Sequence, residues 1–196
     1  MTPENQPAVV LVHGLWNTVY IFSRLKLYLE QQGRNVHVVE LMPNNGDIGI
    51  DQQAEQLKAF IADSMDAQER FDLLGFSMGG LVSRYYLQRL GGLQRVRQLV
   101  GVAVPHYGSA LAWFRWNIGG MQMRPGSRFL IDLNRDMAAL SPCCPVWLWT
   151  PYDLLVLPAK NCCLPVGKNR QLPVGSHNGL LRDERSLSAI AQALTY

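Results

Sequence analysis

Ser77 lies in Gly75-Phe76-Ser77-Met78-Gly79, with a glycine two residues away on either side. The pentapeptide joins a short apolar run, Phe71-Asp72-Leu73-Leu74, to a longer segment with helical spacing. A serine on a sharp strand-to-helix turn holds its hydroxyl exposed on strained backbone, which suits a nucleophile. Residues two positions away must be small, because strand and helix pass close together there, and Gly75 and Gly79 meet that demand. The Met78 N–H, first after the serine, can face a developing oxyanion at the helix N-terminus. The competing reading is a Gly-rich turn with a buried or solvated serine, and the flanking elements weigh against it. A serine hydroxyl attacks well only when a base takes its proton and an acid orients that base. Four histidines compete for the first role: His13, His37, His106 and His177.

The elements that must position such groups follow from the patterning. Ala8-Val9-Val10-Leu11-Val12 is a continuous apolar, β-branched run, the mark of a strand buried on both faces of a parallel sheet. A helix is expected next, with Phe22, Leu25 and Leu29 on one face and Gly33 as its stop. The second strand is Val36 to Leu41. Asp51 is expected to cap a second helix carrying Ala54, Leu57, Ile61 and Met65. The third strand enters the Ser77 turn, whose helix stops at Gly91-Gly92. Val96 to Val104 is the fourth strand, Pro145 to Thr150 the fifth and Asn169 to Val174 a short sixth, before a last helix with Leu187, Ile190 and Leu194. This alternation predicts an α/β, three-layer architecture: about six mostly parallel strands with helices on both faces. With no repeat or linker in view, 1–196 reads as one domain.

In a doubly wound sheet, ligands bind beyond the carboxyl ends of the strands. In α/β hydrolases the order along the chain is Ser, then Asp or Glu, then His. His13, His37 and His106 all precede any acid after the fifth strand, which leaves His177 as the base. Asp153, in Thr150-Pro151-Tyr152-Asp153-Leu154-Leu155, is the expected acid, since a carboxylate among apolar residues calls for a partner. Asp132 and Asp136 come too early, and Asp183 better suits the cap of the last helix. The loop after the first strand supplies a second oxyanion donor, the N–H of Leu15 or alternatively Trp16. His13 and His106 are expected to brace their own loops.

These residues resemble the α/β-hydrolase superfamily, and in particular the small bacterial lipases typified by Bacillus lipase A. The resemblance rests on Val9-Val10-Leu11-Val12-His13-Gly14-Leu15, on Gly75 to Gly79 followed by Gly80-Leu81-Val82, on Pro105-His106-Tyr107-Gly108-Ser109, and on His177-Asn178-Gly179-Leu180-Leu181. It implies a minimal α/β-hydrolase fold with Ser77 as nucleophile, Asp153 as acid, His177 as base, and the amides of Leu15 and Met78 as oxyanion hole. It also implies that the first strand here is the third of the full superfamily sheet.

The expected activity is hydrolysis of carboxylic esters, with lipid acyl esters as the expected substrates, through an acyl-enzyme, with no cofactor and no metal. An acyltransferase, a thioesterase or amidase, and a catalytically silent binding protein of the same fold are the alternatives. Trp16, Trp113 and Phe114 are the expected substrate-binding residues, and 110–126 the expected lid or acyl-groove segment, able to meet a lipid surface. A net charge of +3 without basic blocks argues against nucleic acid. Charged residues make up 17% of the chain, below the roughly 25% average, which is compatible with an apolar substrate. No run reaches transmembrane length, and Met1 to Pro7 lacks the pattern of a signal peptide, so a cytoplasmic monomer is expected. Cys143-Cys144 and Cys162-Cys163 lack zinc-ribbon spacing and are expected to be free thiols, with one bridge between the pairs as the alternative.

Overall fold

The computed structural model describes residues 6–195. Six strands form one sheet: β1 (Val9–Val12), β2 (Val36–Val39), β3 (Phe71–Phe76), β4 (Val96–Val102), β5 (Val146–Trp149) and β6 (Lys168–Gln171). Their order is β2-β1-β3-β4-β5-β6, and every neighbouring pair is parallel. Six helices accompany them: α1 (Ser23–Glu30), α2 (Ile50–Ser64), α3 (Met78–Arg89), α4 (Ile118–Gln122), α5 (Arg128–Arg135) and α6 (Glu184–Ala193).

The period of two along each strand divides the core. Val10, Val12, Leu73 and Leu99 pack with the apolar faces of α2 and α3, while Val9, Leu11, Leu74, Val100 and Val102 pack with α1 and α6. Every residue of β1 and β3 is buried, as a sheet covered on both sides requires; β1 is apolar throughout and β3 is apolar apart from Asp72. The chain leaves β1 toward β2 on one side and runs from β3 out to β6 on the other. The carboxyl ends of β1 and β3 therefore sit side by side, with Val12 opposite Gly75, at the point where strand order reverses.

Some boundaries differ from expectation for local reasons. β2 ends at Val39 instead of Leu41, and β4 ends at Val102, because Ala103 turns to φ 53°. β6 is Lys168–Gln171, earlier than expected, and its four residues are exposed polar side chains that suit a sheet edge. Leu172 and Val174, whose apolar character suggested the strand, are buried from the following loop, where Pro173 prevents further pairing. Gly49, not Asp51, caps α2, with its N–H donated to Gln52 Oε1 at 3.1 Å. Asp51 instead accepts from Gln122 Nε2 at 2.7 Å, while Gln122 Oε1 accepts from the Ile50 N–H at 2.6 Å. Asp183 caps α6 as expected, accepting from the Arg185 N–H at 2.9 Å. Gly33 follows α1 at φ 80°, and the Arg34 N–H closes the end on Leu29 O at 3.1 Å.

The opposite end of β3 carries a buried charge cluster. Asp72 is fully buried and accepts from Arg34, and from Arg97 Nε at 2.9 Å and Nη2 at 2.7 Å. Both arginines also donate to the Leu194 carbonyl, at 3.3 and 2.8 Å, which ties the end of α6 to the sheet. Burial pushes the Asp72 pKa up, and the bonds from Arg97 and Arg34 offset only part of that.

Candidate active site

Ser77 stands between β3 and α3 at φ 54°, ψ −126°, a left-handed conformation rare outside glycine. It is held there by its N–H donated to Val102 O at 2.8 Å and by its carbonyl accepting from the Gly80 N–H at 2.9 Å. The neighbouring glycines are required by space. A Cβ on Gly75 would lie 2.5 Å from Gly80 Cα, and one on Gly79 only 2.2 Å from Val12 O. The loop after β1 presses against the same turn, since a Cβ on Gly14 would lie 2.9 Å from Ser77 Cβ. The N–H groups of Leu15 and Met78 donate to no acceptor among the described residues. Trp16, the alternative donor, is excluded, because its N–H is donated to Asn44 O at 2.7 Å.

His177 and Asp153 come together from loops that follow β6 and β5. His177 Nδ1 lies 2.6 Å from Asp153 Oδ2, and both side chains are buried. The second carboxylate oxygen accepts from the N–H groups of Leu155 at 2.8 Å and Val156 at 3.0 Å. Burial pushes the Asp153 pKa up, but the bond to His177, the charge of that ring and the two backbone N–H groups outweigh it, leaving the carboxyl below its ordinary value. The imidazole packs on the Phe76 ring, centroids 4.8 Å apart, next to the strand that delivers Ser77. Ser77 Oγ makes no hydrogen bond to the imidazole in this conformation, although both residues line one cleft.

That cleft encloses about 800 Å³, and its walls include Trp16, Leu111, Phe114 and Leu155. Trp16 and Phe114 thus fall where expected of substrate-facing residues. Trp113 is not among the residues that line the cleft; its ring lies 5.0 Å from the Arg124 guanidinium. Leu111 and Phe114, three apart in the turn Ala110–Phe114, share the face that lines the cleft, and linear proximity to Phe114 does not carry Trp113 there.

Ser109 and Arg115 also line the cleft, and the aromatic pattern alone did not single them out. The Ser109 hydroxyl donates to Leu155 O at 2.8 Å and accepts from the N–H groups of Leu157 at 3.1 Å and Leu111 at 3.3 Å. It joins the Ala110–Phe114 turn to the loop that carries Asp153. Its place in the Pro105-His106-Tyr107-Gly108-Ser109 motif was a signal for that role.

His13 and His106 brace loops. His13 Nε2 accepts from the Leu41 N–H at 3.0 Å and Nδ1 faces Gly14 O at 3.0 Å; burial lowers its pKa, so the neutral ring with its proton on Nδ1 satisfies both. His106 is buried, packs edge-on to Trp147 at 4.3 Å, and lies 3.2 Å from an Arg84 Nη1. Burial, with the Arg84 charge, holds it neutral. The four cysteines are free, with Cys143 and Cys162 buried and Cys144 exposed. Among the described residues no three His, Cys, Asp or Glu side chains group as metal ligands.

A family model for palmitoyl protein thioesterases matches residues 8–124, which include Ser77 and stop short of Asp153 and His177. Two curated triacylglycerol lipases, from Pseudarthrobacter phenanthrenivorans and Burkholderia plantarii, are each 32% identical over 114 residues, or 54% of this chain. Those residues amount to 35% and 31% of the two relatives, so the match spans about a third of their length. Among solved structures, Bacillus licheniformis lipase BlEst2 in its mature form superposes with a TM-score of 0.80 at 16% identity, covering 97% of this chain and 93% of that one. Aspergillus fumigatus lipase B gives 0.83 at 17%, covering 97% and 53%, and polyneuridine aldehyde esterase 0.70 at 18%, covering 98% and 100%. At these identities the likeness is one of fold, and the fold is that of the α/β hydrolases.

Proposed function

The chain belongs to the palmitoyl protein thioesterase family, within the α/β hydrolases, and on that premise we propose that it is a serine hydrolase of acyl esters. The observation that carries the proposal is the meeting of three loops. A left-handed Ser77 opens into the cleft that His177 also lines, and His177 Nδ1 is 2.6 Å from a buried carboxylate. His177 Nε2 takes the proton from Ser77 as its oxygen attacks the acyl carbonyl. The Leu15 and Met78 amides receive the resulting oxyanion. His177 then protonates the departing alcohol, and water, activated by the same imidazole, releases the acid from the acyl-enzyme. Asp153 stays ionised and holds the Nδ1–H tautomer in place. The apolar walls given by Leu111, Phe114 and Leu155, within the 110–126 segment and the acid loop, suit an acyl chain.

A fluorophosphonate label mapped to Ser77, with Ser77→Ala lowering ester hydrolysis by roughly 10⁴–10⁶, is the expected result. Near-normal hydrolysis by Ser77→Ala sinks the proposal. The family's own description favours a second reading, a thioester substrate, since the same triad serves both leaving groups. Comparing p-nitrophenyl octanoate with its p-nitrothiophenyl analogue separates them: a higher kcat/KM on the thioester, beyond its intrinsic lability in water, selects the second.

A further inference from the structure

Arg115 follows the turn Ala110–Phe114 and lines the cleft shared by Ser77 and His177. Ester cleavage as proposed gives it no task. Its guanidinium lies 3.8 Å from the centroid of the Trp16 ring, and its stem occupies the space that Gly120 leaves open, where a Cβ would come within 2.5 Å of Arg115 Cβ. Among the described residues no carboxylate pairs with it, and its buried Nη2 has no hydrogen-bond partner. Burial lowers its pKa with no neighbouring acid to restore it, although an arginine remains charged.

Arg124 provides the contrast. It also faces tryptophans, Trp113 at 5.0 Å and Trp116 at 5.1 Å, but its N–H groups are donated to the carbonyls of Ala112 at 3.3 Å and Arg115 at 2.5 Å. Arg124 is a brace. Arg115 is a cation held in position on an aromatic ring with its donors unspent, in a cleft whose other walls are largely apolar. A buried donor without an acceptor is costly, and a substrate that brings one relieves that cost on binding. A planar guanidinium matches the paired oxygens of a carboxylate or phosphate, and the apolar surroundings strengthen the attraction.

We infer that Arg115 is a specificity-determining residue, receiving an anionic group carried by the substrate, so that the cleft selects acyl esters bearing a carboxylate or phosphate over neutral ones. This rests on the hydrolase reading above and names the substrate class of the same site. The charge can sit on the acyl part or on the alcohol part, and two pairs of chromogenic esters tell them apart. p-Nitrophenyl octanoate is matched with mono-p-nitrophenyl suberate, which carries a carboxylate at the far end of the acyl chain. o-Nitrophenyl octanoate is matched with 4-nitro-3-(octanoyloxy)benzoate, which carries it on the leaving group.

The readout is the ratio of kcat/KM for the anionic member over the neutral one, at concentrations below micelle formation. Comparing this ratio between wild type and variant cancels the intrinsic reactivity of each ester. Arg115→Gln should lower the ratio in at least one pair by roughly ten- to hundred-fold, chiefly through KM, and Arg115→Lys by less. An unchanged ratio in both pairs, or equal losses on both members, overturns the inference and leaves Arg115 as a support for Trp16. Should Arg115→Gln fail to fold, the wild-type ratio itself decides: it should fall as ionic strength rises, and a ratio insensitive to salt overturns the inference. Activity retained by Ser77→Ala on all four esters counts instead against the hydrolase reading, so the two failures are distinct.

Discussion

His177 Nδ1 lies 2.6 Å from Asp153 Oδ2, while the other oxygen of the same carboxylate is held by the N–H groups of Leu155 and Val156. The carboxylate is therefore aimed by its own loop before it aims the imidazole. Asp153→Asn keeps the size of the side chain but offers the ring an amide, which removes the preference for the Nδ1–H tautomer. The expected outcome is a fall in kcat of about 10³–10⁴ with little change in fold, measured as kcat against pH beside a circular-dichroism spectrum.

The depressed Asp153 pKa also has a consequence for stability. Its ordinary value is 3.8, and the folded value lies below that. Between the two, the unfolded chain binds a proton that the native protein does not, so the contribution of this group is fully present above about pH 3.8 and is lost as pH falls through the folded value. Urea midpoints of wild type and Asp153→Asn should differ most above that pH and converge below it. A gap that widens on acidification contradicts the assignment.

Ser109 links the cleft wall to the acid loop through three hydrogen bonds of one hydroxyl. Ser109→Ala leaves the Leu155 carbonyl and the Leu157 N–H without their partner, at a cost of about 1–3 kcal/mol. Because that loop also aims Asp153, kcat should fall about tenfold with a smaller change in KM. Chemical denaturation and steady-state kinetics on one preparation test both parts.

Gly79→Ala places a methyl group 2.2 Å from Val12 O and 2.4 Å from His13 O, both backbone atoms where β1 ends and its loop begins. Neither can yield without moving β1. The expected destabilisation is about 3 kcal/mol or more, with loss of fluorophosphonate labelling in whatever protein remains folded.

Asp72→Ala should be more damaging than removal of a surface charge. It strands the guanidinium of Arg34, which is 6% exposed, without a counter-charge among the described residues, and loosens Arg97. Removing one partner of a buried pair costs about 3–5 kcal/mol, to be read as a shift in urea midpoint. Asp72 lies at the far end of β3 from Ser77, so the folded fraction should keep its kcat.

The parts of this protein that depend on near neighbours were legible in the chain itself. The unbroken apolar run at Val9–Val12 and the mainly apolar Phe71–Phe76 announced strands covered on both faces, and the spacing of Gly75, Ser77 and Gly79 announced the turn between β3 and α3. Both are short-range: a residue's burial period and its allowed φ and ψ are set within a few positions. The order of groups along the chain, read against a known superfamily, nominated Asp153 and His177. Tertiary structure decided what crosses between loops. Only the folded chain could show that Trp113 stays out of the cleft lining, that Asp51 bonds Gln122 instead of capping α2, and that the Trp16 amide is already taken by Asn44. The same holds for Ser109 and Arg115, whose roles depend on residues 48 and 99 positions away, Leu157 and Trp16. No local pattern records such distances, because a side chain's partner across a crevice is fixed by how the sheet stacks its loops and not by what precedes or follows it in sequence.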